Sequence, residues 1–369
     1  MLPALPSGRR RFDGFQDAGG AGMASYDKLF EILGLSDWCA RGEGGGGPMS
    51  MADLLAQAQG GAGEESSLWS LPIPSLNALH DACAAFPQTR DLTLGLERGF
   101  LSARDVLRVV LDPLTQPLSW MLSETIWLMT ATPWFVMLPI LLLLTWLVSR
   151  SAQVLVLVAA ALATLAFVDH YTEAMQTLAI IFVCAFICVL FGVPIGIAMS
   201  RSNRLQRVMT PILDMLQTLP AFVYLIPLIF LFSVTEPKLY GIAIILYAIV
   251  PVIRLTDLGI RLVDRDVIEA ADAFGMTKQQ KLFGVQIPLA LPNIMAGVNQ
   301  TIMMSLAMVV IASLVSAPGL GVLVLRGIRN LELGVGLIAG FGIVLLAIIL
   351  DRVTKSALAR LDASKAGRG

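Results

Sequence analysis

The side chains in this chain whose types and spacing suit chemistry are few, and the most ordered set lies between Arg254 and Ile287. Within it, Val263 to Gly275 reads Val-Asp-Arg-Asp-Val-Ile-Glu-Ala-Ala-Asp-Ala-Phe-Gly. The run predicts a short helix. Asp264 or Asp266 is placed to cap its start by accepting a backbone N–H. Gly275 ends it by taking a left-handed turn. Thr277 then caps a second short helix over Lys278 to Phe283, which Pro288 stops while opening the next element. On residue types alone the unit reads equally as an ordinary amphipathic surface helix and as one that seats against another protein: small side chains at Ala270 and Ala271 permit close approach, Glu269 offers a charge, and Gly275 makes the sharp turn behind them.

Neutral polar residues form the second set. Gln217, Thr218 and Tyr224 share one apolar stretch, where Pro220 and Pro227 can break a helix and free carbonyls toward a cavity. Asn299, Gln300, Thr301 and Ser305 share another. Lining of a passage for a small solute and hydrogen bonding between helices are equally good readings of both groups. Met303, Met304 and Met308 read as adaptable packing. Asp214 is the only ionisable residue that interrupts an apolar run, and its place near Arg207 predicts a surface or capping role. Cys184 and Cys188, spaced i, i+4, read as small core- or lipid-facing residues. Nothing in the sequence calls for a Cys39–Cys83 disulfide. With two histidines, four cysteines and no CxxC pair, no metal or redox site is predicted. No G-x-x-x-x-G-K-[ST], HExxH or GxSxG motif occurs, so neither ATP binding by a P-loop nor hydrolytic catalysis is expected of this chain.

The elements that must position these residues belong to a membrane. Of 369 residues, 56% are hydrophobic and 14% charged, and the mean hydropathy is +0.76. A soluble domain carries about 25% charge. The formal net charge of -1 excludes an electrostatic case for nucleic acid. Residues 1–117 are polar, glycine-rich and largely irregular, with a short helix predicted from Thr93 to Val110 and stopped at Asp112-Pro113. No apolar run follows Arg9-Arg10-Arg11, so no signal peptide is read. Uncharged stretches then follow at 125–149, 151–168, 174–200, 215–235, 239–253, 282–325 and 333–350. A span needs about 20 residues. The stretch 282–325 holds one span from about 289 to 316, ended by Ala317-Pro318-Gly319, and 239–253 is short enough that Arg254 must snorkel from its end. The fold class is all-α and polytopic, with about seven transmembrane helices over 118–356 and a cytoplasmic tail over 357–369. Basic residues cluster at Arg150, at Arg201 to Arg207, from Arg254 to Lys281 and after Arg352. The positive-inside rule therefore places the segment 254–288 and the C-terminus in the cytoplasm and the N-terminal region outside. Arg326 and Arg329 run against that rule.

Glu269-Ala270-Ala271, then Gly275 after three residues, then Val285-Gln286-Ile287-Pro288 after nine more, resembles the EAA loop of ABC importer permeases. That family has Ile-x-Leu-Pro at the last position, so Val285 and Ile287 are conservative departures. Thr218 to Leu228, Gly297 to Met303, Gly319-Leu320-Gly321 and Ile348 to Arg352 extend the resemblance to the glycine betaine/proline betaine permeases, over residues 118 to 356. It implies a type I importer transmembrane domain in the inner membrane. It also implies a homodimer, two copies of a separate cytoplasmic ATPase that uses the ATP, a periplasmic substrate-binding protein, and membrane lipid as solvent. On this reading Glu269, Ala270, Ala271, Gly275, Val285, Ile287 and Pro288 couple to the ATPase. Gln217, Thr218, Pro220, Tyr224, Asn299, Gln300 and Ser305 are the pathway candidates. The implied solutes are betaines, choline or trimethylamine N-oxide. Two other readings are a gradient-driven secondary transporter, which would need buried ionisable residues and inverted repeats, and a permease of the same fold for an amino acid.

Overall fold

A computed structural model describes residues 89–366, with side chains over 93–360. The chain divides into two compact units, Met1–Ala103 and Arg104–Gly369, and the second holds every contact discussed below. All elements among the described residues are helices. In chain order they are α1 (Thr89–Ala131), α2 (Trp134–Ser149), α3 (Ala152–Phe167), α4 (Tyr171–Arg201), α5 (Asn203–Thr218), α6 (Ala221–Leu231), α7 (Pro237–Arg261), α8 (Arg265–Ala273), α9 (Lys278–Lys281), a π-turn (Leu282–Gln286), α10 (Ile287–Ala312), a 3-10 turn (Ser313–Val315), α11 (Leu320–Asn330) and α12 (Leu333–Ala366).

Four elements are long and apolar enough to cross a membrane: α4, α7, α12 and the continuous rod Lys278–Val315. Two further helix pairs meet that measure only together and are sharply broken: the α1–α2 pair bends by 115° and the α5–α6 pair by 96°. Both breaks sit at a proline that caps the following helix, Pro133 and Pro220. A residue before proline is pushed out of the helical region, so the chain turns there. Helix α3, with 16 residues, is shorter than an ordinary span. The seven expected stretches are thus four spans, two broken pairs and one short helix.

Three boundaries differ from the sequence reading. Helix α1 is 43 residues long and passes through Pro113 and Pro117, where a stop was expected; the 117/118 boundary falls inside it. A proline removes one N–H and crowds one turn, and packing beyond it holds the helix. Leu118 and Leu122 lie against Gly241 of α7, and the Lys238 ammonium, 4% exposed, meets Asp112 at 2.7 Å and Glu236 at 2.8 Å. Arg108 completes the group at 3.2 Å from Asp112 and 3.3 Å from Glu236. Helix α7 is 25 residues long and not the short 239–253, because Asp257 is buried and hydrogen-bonded to Gln206 and Arg261 and Arg254 pairs with Asp214 at the surface. Pro288 does not stop an element: the rod runs through it, with Pro288 in the first turn of α10. The Cys39–Cys83 pair and the irregular segment before residue 89 lie outside the described residues.

Helix α7 is the axis of the bundle, packed between α4 and α10. A Cβ on Gly196 of α4 would stand 2.6 Å from Thr256 Cβ and 2.7 Å from the Ile253 carbonyl oxygen. One on Gly297 of α10 would stand 3.0 Å from Val252 Cα. Close backbone approach through small residues is how helices pack in lipid, where apolar side chains gain nothing by leaving the solvent. Around these seams lies a core of Ile180, Cys184, Ala243, Ile244, Met308 and Val309. Cys184 and Cys188 are buried within it, their thiols directed at the Gly241 and Ile245 carbonyls. A second core, with Met137, Leu162, Leu165, Met175 and Leu346, joins α2, α3, α4 and α12.

Gly196→Val is expected to force α4 off α7 and to lower stability by about 1–3 kcal/mol, the range for an overpacked core. Gly340→Ala on α12 meets nothing within 4 Å and is expected to be neutral. Thermal unfolding of the purified protein in one detergent distinguishes the two; equal melting points contradict the seam.

Candidate functional site

The segment between α7 and α10 folds as the sequence predicts at its turns. Asp264 caps α8 by accepting the Asp266 N–H at 3.0 Å. Gly275 takes φ +72, the left-handed region that costs glycine nothing. Around it the Gly275 N–H donates to the Asp272 carbonyl at 2.9 Å and the Met276 N–H to the Ala271 carbonyl at 3.1 Å. Thr277 and Gln280 form a reciprocal capping box on α9. One ion pair closes the turn: Lys281 Nζ lies 2.6 Å and 2.8 Å from the two Asp272 oxygens.

Two anchors fix this unit to the bundle. Leu282, 2% exposed, packs with Ile260, Ala290 and Ile294 of α7 and α10, and Val193 and Ile197 of α4 close over them. Just before α8, buried Asp257 accepts from Gln206 Nε2 at 2.8 Å and from Arg261 Nε at 2.8 Å. Arg261 also donates to Asn203 Oδ1 at 2.9 Å and to the Met199 carbonyl at 2.8 Å. That network ties the ends of α4, α5 and α7 together beneath the loop. A charge-assisted hydrogen bond among such partly buried groups is stronger than a neutral one. Neither Leu282 nor Asp257 was singled out in the sequence. A signal for Asp257 exists: it and Arg261 stand i, i+4 at the end of an apolar run, the spacing of a helical ion pair.

The outward face differs from expectation in one respect. Ala271 is 5% exposed and turns toward its own chain, where its small size lets α8 lie flat; Glu269 and Ala270 face outward. Next to them Phe274 is 87% exposed and Phe283 66%. Together with Gly275, Met276, Gln280 and Gly284 they line one open depression. Val285, Ile287 and Pro288 are half-buried along the π-turn and the start of α10. Bare aromatics on a helix-turn that is itself rigidly anchored are what a protein–protein contact is made of.

The pathway candidates fall into separate places. Gln217, Thr218 and Pro220 are exposed at the α5–α6 corner. Tyr224 is buried on α6, its hydroxyl donating to the Leu216 carbonyl across that corner and its ring edge-on to Tyr247 at 6.4 Å. Asn299 donates to Asp351 of α12 at 3.2 Å. Its own oxygen and the Ser305 hydroxyl are buried without a partner among the described residues, whereas Gln300 is exposed. Asp214 pairs with Arg254, in keeping with the surface role read for it. No group of His, Cys, Asp and Glu among the described residues has the arrangement of a metal site.

The described residues thus form a helical bundle of membrane-spanning length with an anchored loop that exposes Phe274 and Phe283. The family described as binding-protein-dependent transport system inner membrane component matches residues 188–363, which span both the loop and the α5–α6 corner. The chain is 41% identical over 250 residues to the glycine betaine/proline betaine transport system permease protein ProW of Escherichia coli (strain K12), covering 68% of this chain and 70% of that protein. It is 48% identical over 191 residues to the glycine betaine transport system permease protein OpuAB of Bacillus subtilis (strain 168), covering 52% of this chain and 67% of that one. Among solved structures, an inward-facing MetNI methionine ABC transporter chain matches with 19% identity and a TM-score of 0.47, covering 52% of this chain and 95% of that chain. The chain belongs to the family of binding-protein-dependent inner membrane transport components. It is a multi-pass permease subunit of the inner membrane.

Asp257→Ala is expected to lower stability by about 1–3 kcal/mol by stripping Arg261 and Gln206 of a shared acceptor. The loss stays below the ~3–5 kcal/mol of a fully buried broken pair because Arg261 still reaches water. Asp214→Ala removes an exposed pair and is expected to cost about 0–1 kcal/mol. Parallel melting curves check the order, and an equal effect at both sites contradicts it.

Proposed function

We propose that two copies of this chain form the translocation pathway of an ATP-driven importer for glycine betaine, proline betaine or a related quaternary amine. The observation that carries the proposal is the anchored loop: α8 and α9 held against α7 and α10, with Glu269, Ala270, Phe274 and Phe283 presented outward. A cytoplasmic ATPase docks there. Because the chain has no P-loop motif, ATP is bound and hydrolysed by that partner, and this chain holds no cofactor and performs no catalysis. A periplasmic binding protein delivers the solute at the opposite end. The substrate class follows the printed names of the relatives, which are permeases for glycine betaine and proline betaine.

Charge supports the orientation. The ends of α2, α4, α7 and α12 that lie on the loop side carry Arg150, Arg201, Arg261, Arg352, Lys355 and Arg360. An excess of arginine and lysine marks the cytoplasmic side. The opposite end, with Glu236 and the start of α4, then faces the periplasm. A neutral path suits a zwitterion that has to leave quickly: Gln217, Thr218 and Gln300 offer hydrogen bonds without a fixed charge. Pairing two copies brings the exposed corners of α5–α6 to a shared passage, which a single copy leaves open on one side.

Glu269→Lys and the double change Phe274→Ala, Phe283→Ala are expected to weaken co-purification of the ATPase, the aromatic pair by roughly 30-fold or more if both act as hot spots. Uptake of labelled glycine betaine into proteoliposomes should fall with it, while the melting point of the permease alone stays put. Uptake driven by an ion gradient without any ATPase overturns the proposal.

A further inference from the structure

A second cavity lies away from the loop, at the corner where α1 turns into α2. Its volume is ≈ 480 Å³, the size of a site for one small or single-chain ligand. Its walls come from α1, α2, α3, α4 and α12, with Met137, Leu141 and Val148 of α2, Val158 of α3, and Leu346 and Val353 of α12 among them. The polar side chains lining it are threonines, Thr125, Thr132 and Thr145, and the Thr132 hydroxyl already donates to the Leu128 carbonyl at 2.6 Å. No wall carries a charge. A zwitterionic solute buried there would lose its hydration without compensation, so the cavity is not part of the pathway. It opens toward the bilayer past the exposed Leu144.

Two features together choose the occupant. From Met137 to Val148 the α2 wall rises about 16 Å at 1.5 Å per residue, about half of the ~30 Å hydrocarbon core, which is the depth of one leaflet. The end beyond Val148 and Val353 is cationic. Arg150 caps α2 there in a left-handed conformation, and Arg360 donates to the Leu147 carbonyl at 2.7 Å. Neither forms an ion pair among the described residues. An apolar slot one leaflet deep, with two arginines at the α2 terminus beyond its Val148 end, complements one molecule in a bilayer: a phospholipid whose acyl chain fills the slot and whose anionic headgroup reaches the arginines. We propose that the α1–α2 corner is a binding site for an anionic phospholipid, occupied between α2, α3 and α12. The site is independent of which solute the protein carries.

The full chain reconstituted in phosphatidylcholine nanodiscs containing spin-labelled phosphatidylglycerol tests this, with spin-labelled phosphatidylethanolamine as the zwitterionic probe. The wild type should immobilise the phosphatidylglycerol label and prefer it to phosphatidylethanolamine. Leu144→Trp with Val148→Trp, which fill the slot from its exposed rim, should remove the immobilised fraction. Arg150→Gln with Arg360→Gln should keep acyl-chain binding but reduce the preference for phosphatidylglycerol, on the order of tenfold. The arginine changes are on the surface and leave the core intact, so the test survives if the tryptophan variant fails to fold. No immobilised label in the wild type, or equal immobilisation in the slot-filled variant with an unchanged melting point, overturns the proposal. Equal binding of both probes by the wild type overturns the headgroup assignment. Efficient cross-linking of Leu144→Cys between two copies in membranes assigns the slot to a second copy and overturns it as well.

Discussion

Everything in this bundle depends on how closely α7 is held. In hydrocarbon, two helices that meet through large apolar side chains gain little over meeting lipid, and only close backbone contact or hydrogen bonding fixes their relative position. Small residues on α4 and α10 supply that contact on two sides of α7, at Gly196 and Gly297. Tight packing of this kind does not deform smoothly; it moves as a body or changes register. A force applied at one end of α7 is therefore felt along its length.

In the proposed function the loop applies such a force. It grows directly from the last turn of α7 and ends in the first turn of α10, so the two helices most closely packed to each other share one external lever. Leu282 plugs the lever into the crevice between them, and Asp272–Lys281 stops its two short helices from folding independently. Asp257 and Arg261 extend the connection sideways to the start of α5, the helix that runs to the broken corner at Leu219-Pro220. Physical continuity thus exists from exposed aromatics on the loop to the exposed amide and hydroxyl at the corner. At the other end of the molecule the Lys238 group binds α1 to α7, which is why two prolines fail to end α1.

The parts legible in the sequence were those set by local rules. Asp264, Gly275 and Thr277 announce their caps because each answers an unpaired backbone group within a few residues. Lipid-length apolar runs announce spans for the same reason. Pro113 misled because its cost is local while Leu118, Leu122 and Asp112 repay it through contacts more than a hundred residues away in sequence. Ala271 misled because a small residue suits a close contact on either side of a helix, and only the fold says which. The corners at Pro133 and Pro220 lie inside uncharged runs that read as single spans, since hydropathy carries no information on direction. Tyr224 and Ser305 look like pathway residues by type, yet their burial depends on neighbours that no window of sequence contains.

The proposed role of the loop as a lever is tested most directly by a nitroxide on its outward face. Ala270→Cys, labelled in a variant whose four native cysteines are replaced by alanine or serine and reconstituted in liposomes, reports local mobility by electron paramagnetic resonance. Addition of the cytoplasmic ATPase should immobilise the label, and trapping that ATPase with nucleotide should shift a second label placed at Gln217. A label on the loop that stays equally mobile with and without the ATPase contradicts the account.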